Sequence, residues 1–221
     1  MKELSREFIA GNLEVSQRWA KTPYYDAVEK AAQAQWDKLI YPRIADLPIN
    51  WNYVLELSIG HGRMTQILLE KSLSMVGVDL LEENINFCRE RFSEVPGYKF
   101  RLYLNNGVDL KEVVDNTITF VFCWDSMIHF DSDVVRSYLH EFYRVMKPDS
   151  YAFLHHSNLM NNPGGDFQKN AHARNFMSKQ LFAHYAHKAG FEVVKQDVIN
   201  WGMGPKMVKN LDCISILKKP S

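Results

Sequence analysis

The chain has 221 residues, 46% of them hydrophobic and 13% aromatic, which is enough to bury one well-formed core. Its 26 Lys and Arg are matched by 26 Asp and Glu, so the net charge is zero and broad nucleic-acid binding by a basic face is not expected. No apolar run approaches the roughly 18 residues that cross a bilayer, and the amphipathic start "MKELSREFIAGNLEVSQRWA" is no signal peptide.

Residues 1–50 read as an N-terminal helical cap. "SREFIAGNLEVSQRWA" carries apolar residues at helical spacing, and "PYYDAVEKAAQAQWDKLIYPRI" reads as a helix that starts at Pro23 and ends near Pro42. From residue 51 to 221 the period changes. Strand-like runs occur at "YVLELS", "SMVGVDL", "YKFRLYL", "ITFVFCW" and "SYAFLHHS". Helical runs fall between them: "RMTQILLEKS", "EENINFCRERFSEV" and "SDVVRSYLHEFYRVMK", the last closed by Pro148. "NGVDLKEVV" is a short helix or turn. After the polar segment 158–177 comes "SKQLFAHYAHKAG", with Ser178 as N-cap and Gly190 as C-terminal stop. Two more strands close the chain, "FEVVKQDVIN" and "DCISILKK", joined by about ten residues with no helix.

Alternating strands and helices predict an α/β fold, a Rossmann-like sheet with helices on both faces. A helix-free last connection predicts a hairpin, so the expected sheet has seven strands, mostly parallel, the last reversed between its neighbours. The whole is expected to be a single domain. Three separated cysteines, Cys88, Cys123 and Cys213, suggest reduced, buried thiols and a cytoplasmic protein. No Cys or His spacing demands a metal, although Asp125, His129 and His155 could converge.

In such a sheet the loops at the carboxyl ends of the strands carry the ligand. The first of them is "ELSIGHGR", and the second strand ends in Asp79, 17 residues past Gly62. Paired glycines let a backbone approach a ligand, and an acid at that distance suits ribose hydroxyls. A dinucleotide-binding domain shares these parts, but it wants a third glycine where this chain has Thr65. "ELSIGHG" instead resembles the E/D-x-G-x-G-x-G motif of class I S-adenosylmethionine (SAM) methyltransferases, with Ser58 in place of the first glycine. "VFCWDSMIH", "RVMKP" and "HKAGFEVV" resemble that family's patterns at strand four, before strand five and before strand six. The resemblance runs through residues 52–219 and covers the reversed last strand.

The resemblance implies SAM as cofactor and S-adenosylhomocysteine as product. Carried onto this chain, it implies that Ser58, Gly60 and Gly62 wrap the methionine end, with Glu56 near its ammonium group. Asp79 would hold the ribose, Leu80 an adenine face, and Asn106 with Gly107 the adenine edge. The Cys123 carbonyl would accept from the ammonium.

A hydroxyl acceptor has a high pKa and is helped by a base. His129 in "HFDSD" stands where small-molecule O-methyltransferases of plants carry their catalytic histidine, and where other relatives only anchor a loop. His155 and His156 end strand five, and adjacent strand residues face opposite ways, so one of them is expected in the cleft, followed by Asn158. The segment 158–177 is long enough to be a lid, and its His172 and Arg174 suit sugar hydroxyls or a phosphate. Trp201 is either a sugar-stacking ring or a core residue. Tyr24, Tyr25 and Trp36 either close the pocket from above or pack on the sheet. "HHSN", "HARNFMS", "INWG" and "DCIS" are similar to bacterial methyltransferases of surface-polysaccharide biosynthesis. The acceptor this implies is an oxygen of a small carbohydrate or sugar phosphate, with no nucleic-acid partner and no membrane insertion. Other small-molecule acceptors and a NAD-dependent oxidoreductase remain the alternatives.

Overall fold

The computed structural model describes residues 4–171, 173–202 and 204–221. Seven strands form one sheet: β1 (Tyr53–Leu57), β2 (Ser74–Asp79), β3 (Phe100–Leu104), β4 (Ile118–Cys123), β5 (Met146–Ser157), β6 (Glu192–Trp201) and β7 (Val208–Lys218). Their spatial order is β3-β2-β1-β4-β5-β7-β6, with β1 to β5 parallel and β7 antiparallel to both its neighbours. This is the sheet expected from the sequence, and it puts the carboxyl ends of β1 to β5 along one edge.

Strand alternation separates two cores, because successive side chains point to opposite faces. Leu55, Leu57, Val76, Val78, Val121 and Leu154 face α7 (Ser132–Val145) and α8 (Lys179–Ala189). Val54, Met75, Phe120, Phe122 and Phe153 face Trp36, Ile40 and Ile44 from the N-terminal helices, and α5 (Thr65–Lys71). The remaining helix, α6 (Glu82–Arg91), packs Ile85 and Cys88 against Ile59. Ser178 caps α8, its Oγ accepting from Leu181 N at 3.0 Å, and Gly190 ends it at φ 104°.

Three boundaries differ from the reading of the sequence. After α1 (Arg6–Ala20), the expected helix from Pro23 to Pro42 is four short pieces: α2 (Tyr24–Glu29), α3 (Ala32–Gln35), a π-turn Trp36–Ile40 and α4 (Tyr41–Ile44). Pro42 continues rather than ends the segment. Its ring would crowd the carbonyl four residues back in a regular helix, and the wider π-turn comes directly before it. The Arg43 guanidinium donates to the Leu39 carbonyl there at 2.6 Å. Helix α7 stops at Val145, before Pro148, because Lys147 precedes a proline and already lies in β5. The last two strands run longer than expected, so residues 202–207 alone separate them.

Candidate active site

The β1–α5 loop turns on three residues with left-handed backbones: Ser58 at φ 59°, Gly60 at 53° and Gly62 at 83°. Ser58 occupies that region with a side chain, at a cost of about 1 kcal/mol. Gly60 cannot carry one, since a Cβ would lie 2.6 Å from the Tyr25 ring. At Gly62 a Cβ would lie 2.5 Å from the Phe92 ring. Gly62 therefore serves the close packing of the segment after α6 and does not line the cavity.

Glu56, at the end of β1, is buried, and its Oε2 accepts from Thr65 Oγ1 at 2.6 Å. Burial pushes its carboxyl up to about 8, against the opposing pull of Thr65 and Arg63. Thr65, the residue that breaks the dinucleotide pattern, is what orients this acid. Asp79 accepts from Gly60 N at 2.9 Å, Leu81 N at 2.9 Å and Asn84 Nδ2 at 3.0 Å. Burial raises its carboxyl as well, and these donors counter the rise. Beside Asp79, Leu80 packs on Gly107, where a Cβ would stand 3.3 Å from Leu80 Cδ1.

A cleft opens over these groups. Glu56, Ser58, Gly60, Asp79, Leu80, Gly107 and His129 line it, as do Tyr24, Tyr25 and Asp125, so ten of the residues singled out in the sequence converge. Asn105 lines it and Asn106 does not, but the Asn105 side chain is itself bonded to Asp109 O, the Tyr138 hydroxyl and Gly107 N. The Asn106 side chain closes a turn on itself, Oδ1 accepting from Val108 N and Asp109 N and Nδ2 donating to Asp109. Cys123 is also outside the lining, its thiol buried and pushed up to about 12 by that burial.

His155, His156, Asn158 and Arg174 do not line the cleft either. His156 is wholly buried, stacked on Phe182 at 3.8 Å and bonded to Ser215 Oγ at 2.7 Å. The opposite-facing His155 lies behind the cleft wall, where its Nδ1 accepts from Asp125 N at 3.2 Å. Its Nε2 is 3.3 Å from Asp212 Oδ2. Asn158 ties β5 to the β7 strand and to α8, donating to Asn210 O and accepting from Lys179 N. Arg174 spends its fork on Asp212, at 2.9 and 2.7 Å. Burial alone would raise the Asp212 carboxyl, but the hydrogen bonds from Arg174 and His155 bring it below its ordinary value. His172 lies outside the described residues. Trp201 packs with Trp124 and His155, under Arg174.

The lining also holds Arg63 and Asp131, which the sequence reading passed over, and Asp125, which it weighed only beside a metal. Asp125, just past β4, holds a left-handed φ of 56°. Its Oδ2 accepts from Arg63 Nη2 at 2.6 Å and from the Tyr24 hydroxyl at 2.7 Å. Arg63 and Trp124 both donate to Gln35 Oε1, which ties the N-terminal helices to the site. Tyr24 and Tyr25 thus roof the cleft, while Trp36 packs in the core. Asp125 and Asp131 follow β4, where ligand-bearing loops are expected, and this position was the signal available for them.

His129 ends a short 3₁₀ turn, Met127–His129. Its Nδ1 bonds the Ala173 carbonyl at 2.8 Å, and its own carbonyl accepts from Asn175 Nδ2 at 2.6 Å. Burial depresses the imidazole below its ordinary value, with the Ala173 bond opposing. The segment carrying Ala173 covers the cleft, contributing Phe167 and Ala171 to its lining. Gln168 bridges from it to Phe8 O and Asn12 Oδ1 of α1, both at 3.2 Å. Among the described residues, no group of three or more His, Cys, Asp or Glu is arranged to hold a metal, and no helix is long and apolar enough to cross a membrane.

Comparison with known proteins adds a family model described as a methyltransferase domain, which matches residues 54–149. YqeM of Bacillus subtilis, named as a methyltransferase, is 30% identical over 131 residues, which are 57% of this chain and 49% of that protein. The match thus spans about half the length of this relative. A SAM-dependent methyltransferase from Clostridium acetobutylicum superposes with a TM-score of 0.68 at 13% identity, covering 90% of this chain and 98% of the other. A protein from Pyrococcus horikoshii does so with a TM-score of 0.67 at 19% identity, over 92% and 98% of the two chains. At these identities the likeness is one of fold.

Proposed function

We propose that this chain, which carries the class I SAM-dependent methyltransferase fold and a methyltransferase domain over residues 54–149, transfers the methyl group of SAM to an oxygen of a small carbohydrate or sugar phosphate, within surface-polysaccharide biosynthesis. The observation that supports this reading is one cleft whose lining brings Glu56, Asp79, Leu80, Gly107 and His129 together.

The residues present fit SAM. Asp79 is held by three donors and keeps acceptor capacity for a ribose diol. Leu80 and Gly107 pack together in the lining beside Asp79, where they would offer an apolar surface to a flat base. The buried Glu56, reluctant to ionise by itself, suits the ammonium of the methionine end, which would favour its charged form. Bound SAM supplies an activated methyl group on a sulfonium.

The rest of the chemistry belongs to the protein. With Nδ1–H donated to Ala173, a neutral His129 carries its lone pair on Nε2, the tautomer a base needs. Burial holds its pKa below the ordinary value, so it is largely neutral near pH 7, the form a general base requires. Tyr24, Phe130 and Phe167 wall the cleft and limit water.

Calorimetry with SAM, followed by methyl transfer to a panel of nucleotide-linked sugars read by mass, tests the reading. Absent SAM binding would end it. In the pH–rate profile the acid limb should lie below the ordinary histidine range. His129→Ala should remove that limb and lower kcat by roughly 10²–10⁴-fold. An unchanged kcat in His129→Ala would remove it as the base.

A further inference from the structure

The cleft as a whole has an uneven charge. Five carboxylates line the whole cavity, Glu29, Glu56, Asp79, Asp125 and Asp131, against one guanidinium, Arg63, among the described residues. Arg63 is committed to Asp125 at 2.6 Å and to Gln35 at 3.1 Å. Both histidines in the lining, His61 and His129, are held below their ordinary pKa by burial, so neither offers a standing positive charge near pH 7. Lys169, on the covering segment, is paired with Asp166 at 2.6 Å. Among the described residues a phosphate brought here would meet no available cation, and phosphate recognition rests on charged or convergent N–H donors.

Asp131 is the exception among the acids. Glu29 is paired with Arg91, Glu56 with Thr65, Asp79 with three donors and Asp125 with Arg63 and Tyr24. Asp131 is 8% exposed, and its Oδ1 accepts only a 3.2 Å bond from Phe167 N. Its Oδ2 is buried with no hydrogen-bond partner. An orphaned carboxylate oxygen in a native site calls for a donor from outside the chain. It stands two residues from His129, in the same lining. Asp131 also precedes α7 without capping it, so its side chain has no helix-capping duty.

We propose that Asp131 is the acceptor-binding residue of this site, accepting a hydrogen bond from a hydroxyl or protonated amine, and that the site selects unphosphorylated acceptors over their phosphate esters. This rests on the methyltransferase reading above and narrows its acceptor. Asp131→Asn is close in shape and keeps an oxygen for Phe167 N, but it turns Oδ2 into a donor that faces the acceptor's own donor.

The test uses the full chain saturated with S-adenosylhomocysteine. Saturation-transfer NMR would measure binding of D-glucose, D-galactose and D-glucosamine against their 6-phosphates. The expected result is at least tenfold tighter binding of the unphosphorylated members by the wild type. Asp131→Asn should weaken those members by roughly tenfold or more, the scale of a hydrogen bond to a charged group. Its SAM affinity by calorimetry should stay within twofold. The glucose and glucosamine arms separate a hydroxyl from an ammonium donor. A preference for the phosphates, binding unaffected by Asp131→Asn, or no member bound at all would overturn the inference. SAM binding intact under those results leaves the methyltransferase reading standing, whereas no SAM binding by the wild type removes both. The wild-type preference needs no variant, so the test survives a poorly folding Asp131→Asn.

Discussion

Glu56 and Gly60 are the residues whose chemistry is most exposed to test. A carboxyl at about 8 is largely protonated at pH 7, whereas a neighbouring ammonium favours the anion. SAM binding at pH 7 should therefore release a proton and strengthen as pH rises toward 8, read by calorimetry in buffers of different ionisation enthalpy. Glu56→Gln should abolish the proton release and weaken SAM, with no penalty to folding at pH 8. Equal proton release in the variant would assign it to another group. Gly60→Ala meets two costs at once: a left-handed φ of 53°, worth about 1 kcal/mol, and a Cβ 2.6 Å from the Tyr25 ring. Thermal melting should fall by several degrees. SAM affinity should fall with it, since Tyr25 roofs the same cleft. A variant as stable as the wild type would show that Tyr25 yields freely.

At the scale of elements, the covering segment is fastened rather than loose. Phe167 N reaches Asp131, Gln168 reaches α1, Asn175 reaches the His129 turn, and Arg174 grips Asp212 of β7. Asp212 is fully buried, so losing its guanidinium leaves a charge poorly compensated. Arg174→Ala should cost about 3 kcal/mol and speed amide exchange across residues 159–177. Arg174→Lys should rescue little, because a lysine cannot make the two-pronged contact. Unchanged exchange in Arg174→Ala would show that the other fastenings suffice. Arg174, expected to touch the acceptor, thus acts on the lid's attachment. Its planar donors were legible in the sequence, but their partner, 38 residues on, was not. Pro42 teaches the same lesson, because a proline stops a regular helix and the preceding π-turn was not visible in the residue pattern.

For the whole molecule, the buried acids couple stability to pH. Glu56 has a folded pKa raised above its unfolded value, so the folded state holds the proton more tightly. Its stabilising contribution is complete below about 4.5 and is lost as pH rises toward about 8. Asp79, raised in the same sense, adds to this slope at its lower end. Denaturant melts of the ligand-free protein should show stability declining across this window more steeply than in Glu56→Gln. Saturating SAM should flatten the decline. A wild-type slope equal to that of the variant would mean that Glu56 ionises without cost.

The sheet, its reversed strand and the cofactor loop were legible because local periods and turn residues encode them. Alternating apolar strands, Ser178 and Gly190 at the ends of α8, and "ELSIGHG" followed by Asp79 each act through neighbours in the chain. Ten residues named from the sequence meet in one cleft, among them the loop and strand-end residues that this local code places. The sequence by itself determined the fold and the left-handed turn that follows β1. The tertiary structure alone decided that both His61 and His129 line the cleft, that Asn105 does so and Asn106 does not, and that only Oδ2 of Asp131 is left without a partner. Those outcomes depend on which distant donor or acceptor each side chain finds once the chain is packed, and sequence spacing carries no record of that choice.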